Sequence, residues 1–169
     1  MVESMEQGAA LPDQHFLRAM FGRFASGVTV VTCGAGDAVH GMTANSFTSV
    51  SLEPALGLVS LARGCRMHDR LVAARRFGVS VLAEGHRHVS NHFAGRPVDG
   101  YLPAFEERCG VGLLSDALAW MILDTEAEHR AGTHTLFVGR LVACGYRADA
   151  HPLIFFGGGY GALSAPASA

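Results

Sequence analysis

The segment Gly41-Met42-Thr43-Ala44-Asn45-Ser46-Phe47-Thr48-Ser49-Val50-Ser51 crowds small hydroxyl and amide side chains into a stretch where a strand would carry Val and Ile. Small side chains uncover the backbone, so main-chain N–H groups together with Asn45 and Ser46 suit the polar edge of a planar heterocycle. The plainer reading is that Thr and Ser favour strands and turns. Further on, Ser60-Leu61-Ala62-Arg63-Gly64-Cys65-Arg66-Met67-His68-Asp69 sets two arginines around a glycine just ahead of a helical period. Helix N-terminal N–H groups and guanidinium forks bind phosphate. A solvated turn with two surface arginines is the alternative.

Nine histidines make accidental clusters certain. His86, His88 and His92 form H-x-H-x-x-x-H, and the last two share a helix face as zinc ligands can. Only Glu84 is near enough in sequence to complete a site, so a polar helix face is the stronger reading and no metal is expected. His134, in Gly132-Thr133-His134-Thr135, enters the apolar strand Leu136-Phe137-Val138 and reads either as a rim histidine or as a catalytic one. Gly157-Gly158-Gly159-Tyr160 lacks the strand-to-helix context of a dinucleotide fingerprint and leaves room beside an aromatic.

These residues need a scaffold. Residues 14–25 place Phe16, Leu17, Met20, Phe21 and Phe24 on one helical face with Asp13 as cap, a helix expected to lie against the body of the fold. Strand-like runs follow at 28–33, 39–42, 47–52 and 55–61, the first two joined by a turn at 34–37. A helix over 66–74, a buried strand over 77–82 and a second short helix over 84–93 come next. Strands resume at 119–127, 135–143 and 153–156. About seven strands without βαβ alternation predict a mainly β, antiparallel barrel with short appended helices.

One domain is expected over residues 13–162, between flexible tails at 1–12 and 163–169. Hydrophobic residues make up 49% and charged residues 17% of the 169, a ratio that fits a buried subunit interface and so a homodimer. The net charge of −2 and scattered arginines argue against nucleic acid, and no apolar run is long enough to span a bilayer. Without an export signal a cytoplasmic protein is expected. Cys33, Cys65, Cys109 and Cys144 match no zinc spacing and are expected to be free thiols, mostly filling the core.

Across residues 14–162 the chain resembles the short flavin reductases, which supply reduced FMN or FAD to two-component monooxygenases. The resemblance rests on five pieces in order: Phe21-Gly22-Arg23-Phe24-Ala25-Ser26-Gly27-Val28-Thr29-Val30-Val31-Thr32; Gly41 to Ser51 with Leu52-Glu53-Pro54; Phe77-Gly78-Val79-Ser80-Val81-Leu82; Phe93-Ala94-Gly95; and Gly132-Thr133-His134 with Gly139 five residues on. It implies an FMN-binding split β-barrel working as a homodimer, with NADH or NADPH as hydride donor and a separate monooxygenase as partner. It sets the flavin ring against Thr43, Ala44, Asn45 and Ser46. The ribityl and phosphate then run along Ser60, Leu61, Ala62, Arg63, Cys65 and Arg66, with help from Phe93, Ala94, Gly95 and Arg96. His134 falls beside the nicotinamide and Tyr160 at the flavin end of the pocket. Thr133 departs from the family's usual Asp, which removes a charge beside His134, and Cys65 stands where a small polar residue is common. The rival from another class is a flavin or haem carrier on the same barrel that reduces nothing.

Overall fold

The computed structural model describes residues 13–163, so the expected N-terminal tail and nearly all of the C-terminal one lie outside the described residues. The helix α1 (Gln14–Phe21) starts where Asp13 Oδ1 accepts the N–H of Phe16 at 2.8 Å. It ends at Gly22, short of the expected residue 25, and buries none of its residues. The expectation that it lies against the barrel therefore fails within this chain: Met20, Phe21 and Phe24 carry its apolar character into the open.

The strands are β1 (Ser26–Gly27), β2 (Thr29–Cys33), β3 (His40–Ala44), β4 (Thr48–Leu52), β5 (Ala55–Ala62), β6 (Arg76–Val81), β7 (Phe105–Arg108), β8 (Val111–Leu114), β9 (Ala119–Ala131), β10 (His134–Tyr146), β11 (Ile154–Phe156) and β12 (Gly159–Gly161). Twelve rather than about seven are present because β1 and β12 are too short, Phe105-Glu106-Glu107-Arg108 of β7 too polar, and its four-residue partner β8 (Val111–Leu114) too short to show a period. The expected second helix is a 3₁₀ turn at Glu84–His86 followed by α3 (Arg87–Phe93), while α2 covers Arg66–Ala74 as expected.

Seven strands form one antiparallel sheet in the order β3-β2-β6-β9-β10-β5-β4. Its outer strands, β3 and β4, are consecutive in the chain and joined only by Asn45–Phe47. Laid flat, six inter-strand steps separate them by about 29 Å. The link from Ala44 to Thr48 reaches at most about 14 Å. The sheet must therefore curl until its two edges meet, which makes it a barrel wall with a seam at Asn45–Phe47.

Inside the curl, Phe77 and Phe137 pack with Leu61, Val79 and Leu123, and α2 adds Met67 and Leu71, one turn apart on its buried face. A second cluster joins Val28 and Val30 to Leu82, Leu153 and Val89 of α3. All four cysteines are free. Cys33 is buried, with Sγ 3.8 Å from Met67 Sδ, and burial raises its pKa. Cys109 and Cys144 are exposed, so only two of the four are even partly interior, contrary to the expectation of mostly core thiols. Among the described residues no helix is long and apolar enough to cross a membrane.

Candidate active site

A cleft of about 280 Å³ opens where the end of β3 meets α3 and the C-terminal hairpin β11–β12. Thr43, Ala44 and Asn45 form one wall, Ser90, Asn91, Ala94 and Arg96 a second, and Val28, Phe155, Gly158 and Tyr160 the third. The walls are tied together. Thr43 Oγ1 donates to the Ser90 carbonyl at 2.7 Å, and Arg96 N–H donates to the Asn91 carbonyl at 3.0 Å. The Tyr160 hydroxyl lies 2.8 Å from Ser90 Oγ and donates to Asn91 Oδ1 at 3.2 Å. Its ring packs edge-on against Phe155 and under the Arg87 guanidinium, 5.5 Å away.

Six residues expected at a cofactor therefore line one cleft: Thr43, Ala44, Asn45, Ala94, Arg96 and Tyr160. Ser46 is one step removed, because its Oγ donates to the Ser60 carbonyl at 2.8 Å and accepts the Ser60 N–H at 3.3 Å, bracing the seam against β5. Leu61 points into the core and Phe93 packs against the second cluster, edge-on to Phe105, so their side chains serve the scaffold. Gly95 lines no part of the cleft, nor do Ser60, Ala62, Arg63, Cys65 and Arg66 of the expected phosphate run.

Arg63, Cys65 and Arg66 lie beyond Ser60 at the end of β5. Cys65 caps α2 in position but makes no side-chain cap bond, which leaves the start of the helix open to an anion. Arg66 is exposed there. Arg63 is turned elsewhere: its guanidinium donates to the Gly132 carbonyl at 2.7 Å and its N–H to the Thr133 carbonyl at 3.0 Å. His134 opens β10, exposed, opposite Ala62 of β5, with Nδ1 3.0 Å from Thr133 Oγ1.

Val28, Ser90, Asn91 and Phe155 line the cleft without a signal in sequence reasoning, whereas Gly158 belongs to the Gly-rich run expected to leave room beside Tyr160. Ser90 and Asn91 sit inside a segment that reads as a polar helix face, and only the tertiary fold brings that face to β3. The histidines of the same segment turn the other way: His86, in the 3₁₀ turn, pairs with Asp116 at 3.1 Å, and the rings of His88 and His92 on α3 pack edge-on against Tyr101. Among the described residues no three metal-ligating side chains converge.

The family model described as "Flavin reductase like domain" matches residues 21–164. The chain belongs to the flavin reductase family. Among its relatives, the NADH-dependent flavin reductase of Rhodococcus sp. is 46% identical over 150 residues, covering 87% of this chain and 85% of that one. The reductase component of 4-hydroxyphenylacetate 3-monooxygenase from Thermus thermophilus is 40% identical over 144 residues, 85% and 93% of the two chains. The NADH:FAD oxidoreductase SgcE6 of Streptomyces globisporus, solved with NAD and FAD fragments, superposes with a TM-score of 0.84 at 36% identity over 95% of this chain and all of that one. The mainly β antiparallel fold expected of a flavin reductase is thus present in this family member.

Proposed function

We propose that this protein is an NADH-dependent flavin reductase that passes reduced FMN or FAD to a separate monooxygenase. The observation that carries the reading is the cleft at the barrel seam, where Thr43 and Ala44, with Asn45 next in the chain, end an edge strand whose outer main-chain groups have no strand partner among the described residues. That build fits a flavin. Main-chain N–H groups and Asn45 meet the polar edge of the ring, Val28 and Phe155 its apolar face, and Arg96 and Arg66 its anionic tail. Bound flavin would supply the hydride-accepting ring. The chain's own part is to hold that ring and to set N–H dipoles where negative charge accumulates on reduction. His134, at the barrel rim, serves the incoming nicotinamide. No side chain of the cleft is required as an acid or base.

Relatives that are NADH-dependent or are monooxygenase reductase components support the donor and the partner. A homodimer accords with the exposed apolar side chains Phe21, Phe24, Val50 and Leu52 and with the apolar groove beside β4 formed by Phe47, Leu56, Met121 and Leu141. A cleft near the lower size limit of small-molecule sites, about 300 Å³, also suits completion by a second copy. Steady-state NADH oxidation with FMN, FAD and riboflavin in parallel tests the activity. Consumption of NADH with flavin is the expected result, and a carrier would leave NADH untouched.

A further inference from the structure

We propose that Arg63 is a positioning residue for His134 rather than a ligand of the flavin phosphate; this rests on the reading of His134 as the nicotinamide-facing group. β9 and β10 are joined by a two-residue turn, Gly132-Thr133, with Ala131 paired to His134 across it. Gly132 has φ +56° at the first central position, the geometry of a tight hairpin turn that glycine alone adopts cheaply. Such a turn sits at the tip of two long strands, and the Ala131–His134 pair closes it without engaging the carbonyls of Gly132 and Thr133. Arg63 reaches it from β5 with two bonds, guanidinium to the Gly132 carbonyl at 2.7 Å and main-chain N–H to the Thr133 carbonyl at 3.0 Å. Both carbonyls of the turn are thereby fixed from one residue.

Thr133 carries the constraint onward, because its Oγ1 lies 3.0 Å from His134 Nδ1 and so sets the ring's rotation and leaves Nε2 outward. On the far side, His68 Nε2 lies 3.0 Å from Thr135 Oγ1, and its ring stands edge-on to Phe137 at 5.4 Å. The strand is thus braced immediately after His134 as well as before it. A charge-assisted bond to a carbonyl in fixed geometry is strong relative to the freedom of an exposed imidazole. With one arm of its fork spent on Gly132, Arg63 is placed as a strut. Phosphate binding is left to Arg66 and the uncapped start of α2.

Arg63→Met keeps the aliphatic stem and the main-chain bond to Thr133 and removes the guanidinium bond to Gly132. Expected is a fall of about tenfold in kcat/KM for NADH, shrinking to under about twofold when the same change is made in His134→Ala, since residues that act through one another are non-additive. The ratio of riboflavin to FMN dissociation constants should stay as in the parent. Equal losses in both backgrounds, or a loss of FMN affinity that spares riboflavin, would overturn the strut. If His134→Ala oxidises NADH as the parent does, the nicotinamide reading of His134 falls and this inference with it. A His134→Ala defect with additive Arg63→Met refutes the coupling alone.

Discussion

His86 Nε2 and Asp116 Oδ2 stand 3.1 Å apart, holding the start of α3 to the loop before β9. The other ring nitrogen, Nδ1, accepts the N–H of Ala83 at 3.2 Å, so the ring is neutral with its proton on Nε2. Burial lowers the His86 pKa, against the opposing pull of Asp116. A histidine whose folded pKa lies below its unfolded one stabilises fully above about pH 6.5 and loses that contribution as the pH falls through the folded value. Denaturant midpoints measured from pH 7.5 to 5 should therefore drop on the acid side, and the drop should be smaller in His86→Gln.

Removing the Tyr160 hydroxyl leaves Ser90 Oγ buried without its partner. Tyr160→Phe should cost about 1 to 3 kcal/mol, the range for an orphaned buried polar group. Ser90→Ala in the same chain should recover much of that loss, because the fully buried orphan is then gone and only the half-buried Asn91 Oδ1 has lost its donor. Thermal melts of the single and double variants decide it. A double variant less stable than Tyr160→Phe would contradict the pairing.

Arg66 stands at the uncapped start of α2, where a phosphate would gain both a guanidinium and helix N–H groups. Arg66→Ala should weaken FMN and FAD by about tenfold, near 1.4 kcal/mol, and riboflavin hardly at all. Fluorescence titration of the three flavins separates this from a general loss of the site.

Leu52 is 92% exposed on the edge strand β4, beside the apolar groove. Light scattering should give twice the chain mass of 17.8 kDa, and Leu52→Asp should shift the population toward one chain. A parent protein that stays at one chain mass at micromolar concentration would remove the dimer.

Much of this was legible because its causes are local. The strand runs at 28–33 and 55–61 carry their own alternation or apolar continuity, and α2 shows Met67 and Leu71 at helical spacing. The small-residue stretch at Thr43 to Asn45 announced an uncovered backbone. What stayed hidden depends on distant partners. Ser90 and Asn91 enter the cleft only because β3 and α3 are brought together, and Arg63 reads as an anion ligand until Gly132, 69 residues away, is seen to take its guanidinium. Gly139, a family motif residue, is explained by packing: a Cβ there would lie 2.7 Å from Leu123 Cβ and 3.0 Å from the Phe77 ring. The apolar face of α1 was read correctly as apolar and wrongly as buried, since periodicity says which side is greasy and not what covers it.

The seam at Asn45–Phe47 has a consequence for how such a protein can change. Interior strands of the wall spend their main-chain groups on neighbours at both sides, whereas β3 and β4 each have a partner on one side only. A flavin bound there as proposed would be held in part by the peptide backbone, which every sequence possesses. Changing a side chain around it, Asn45 or Arg96, would then remove one contact and leave the main-chain ones in place. Preference among flavins would thus be open to retuning one side chain at a time, against a main-chain contribution that substitution leaves unchanged.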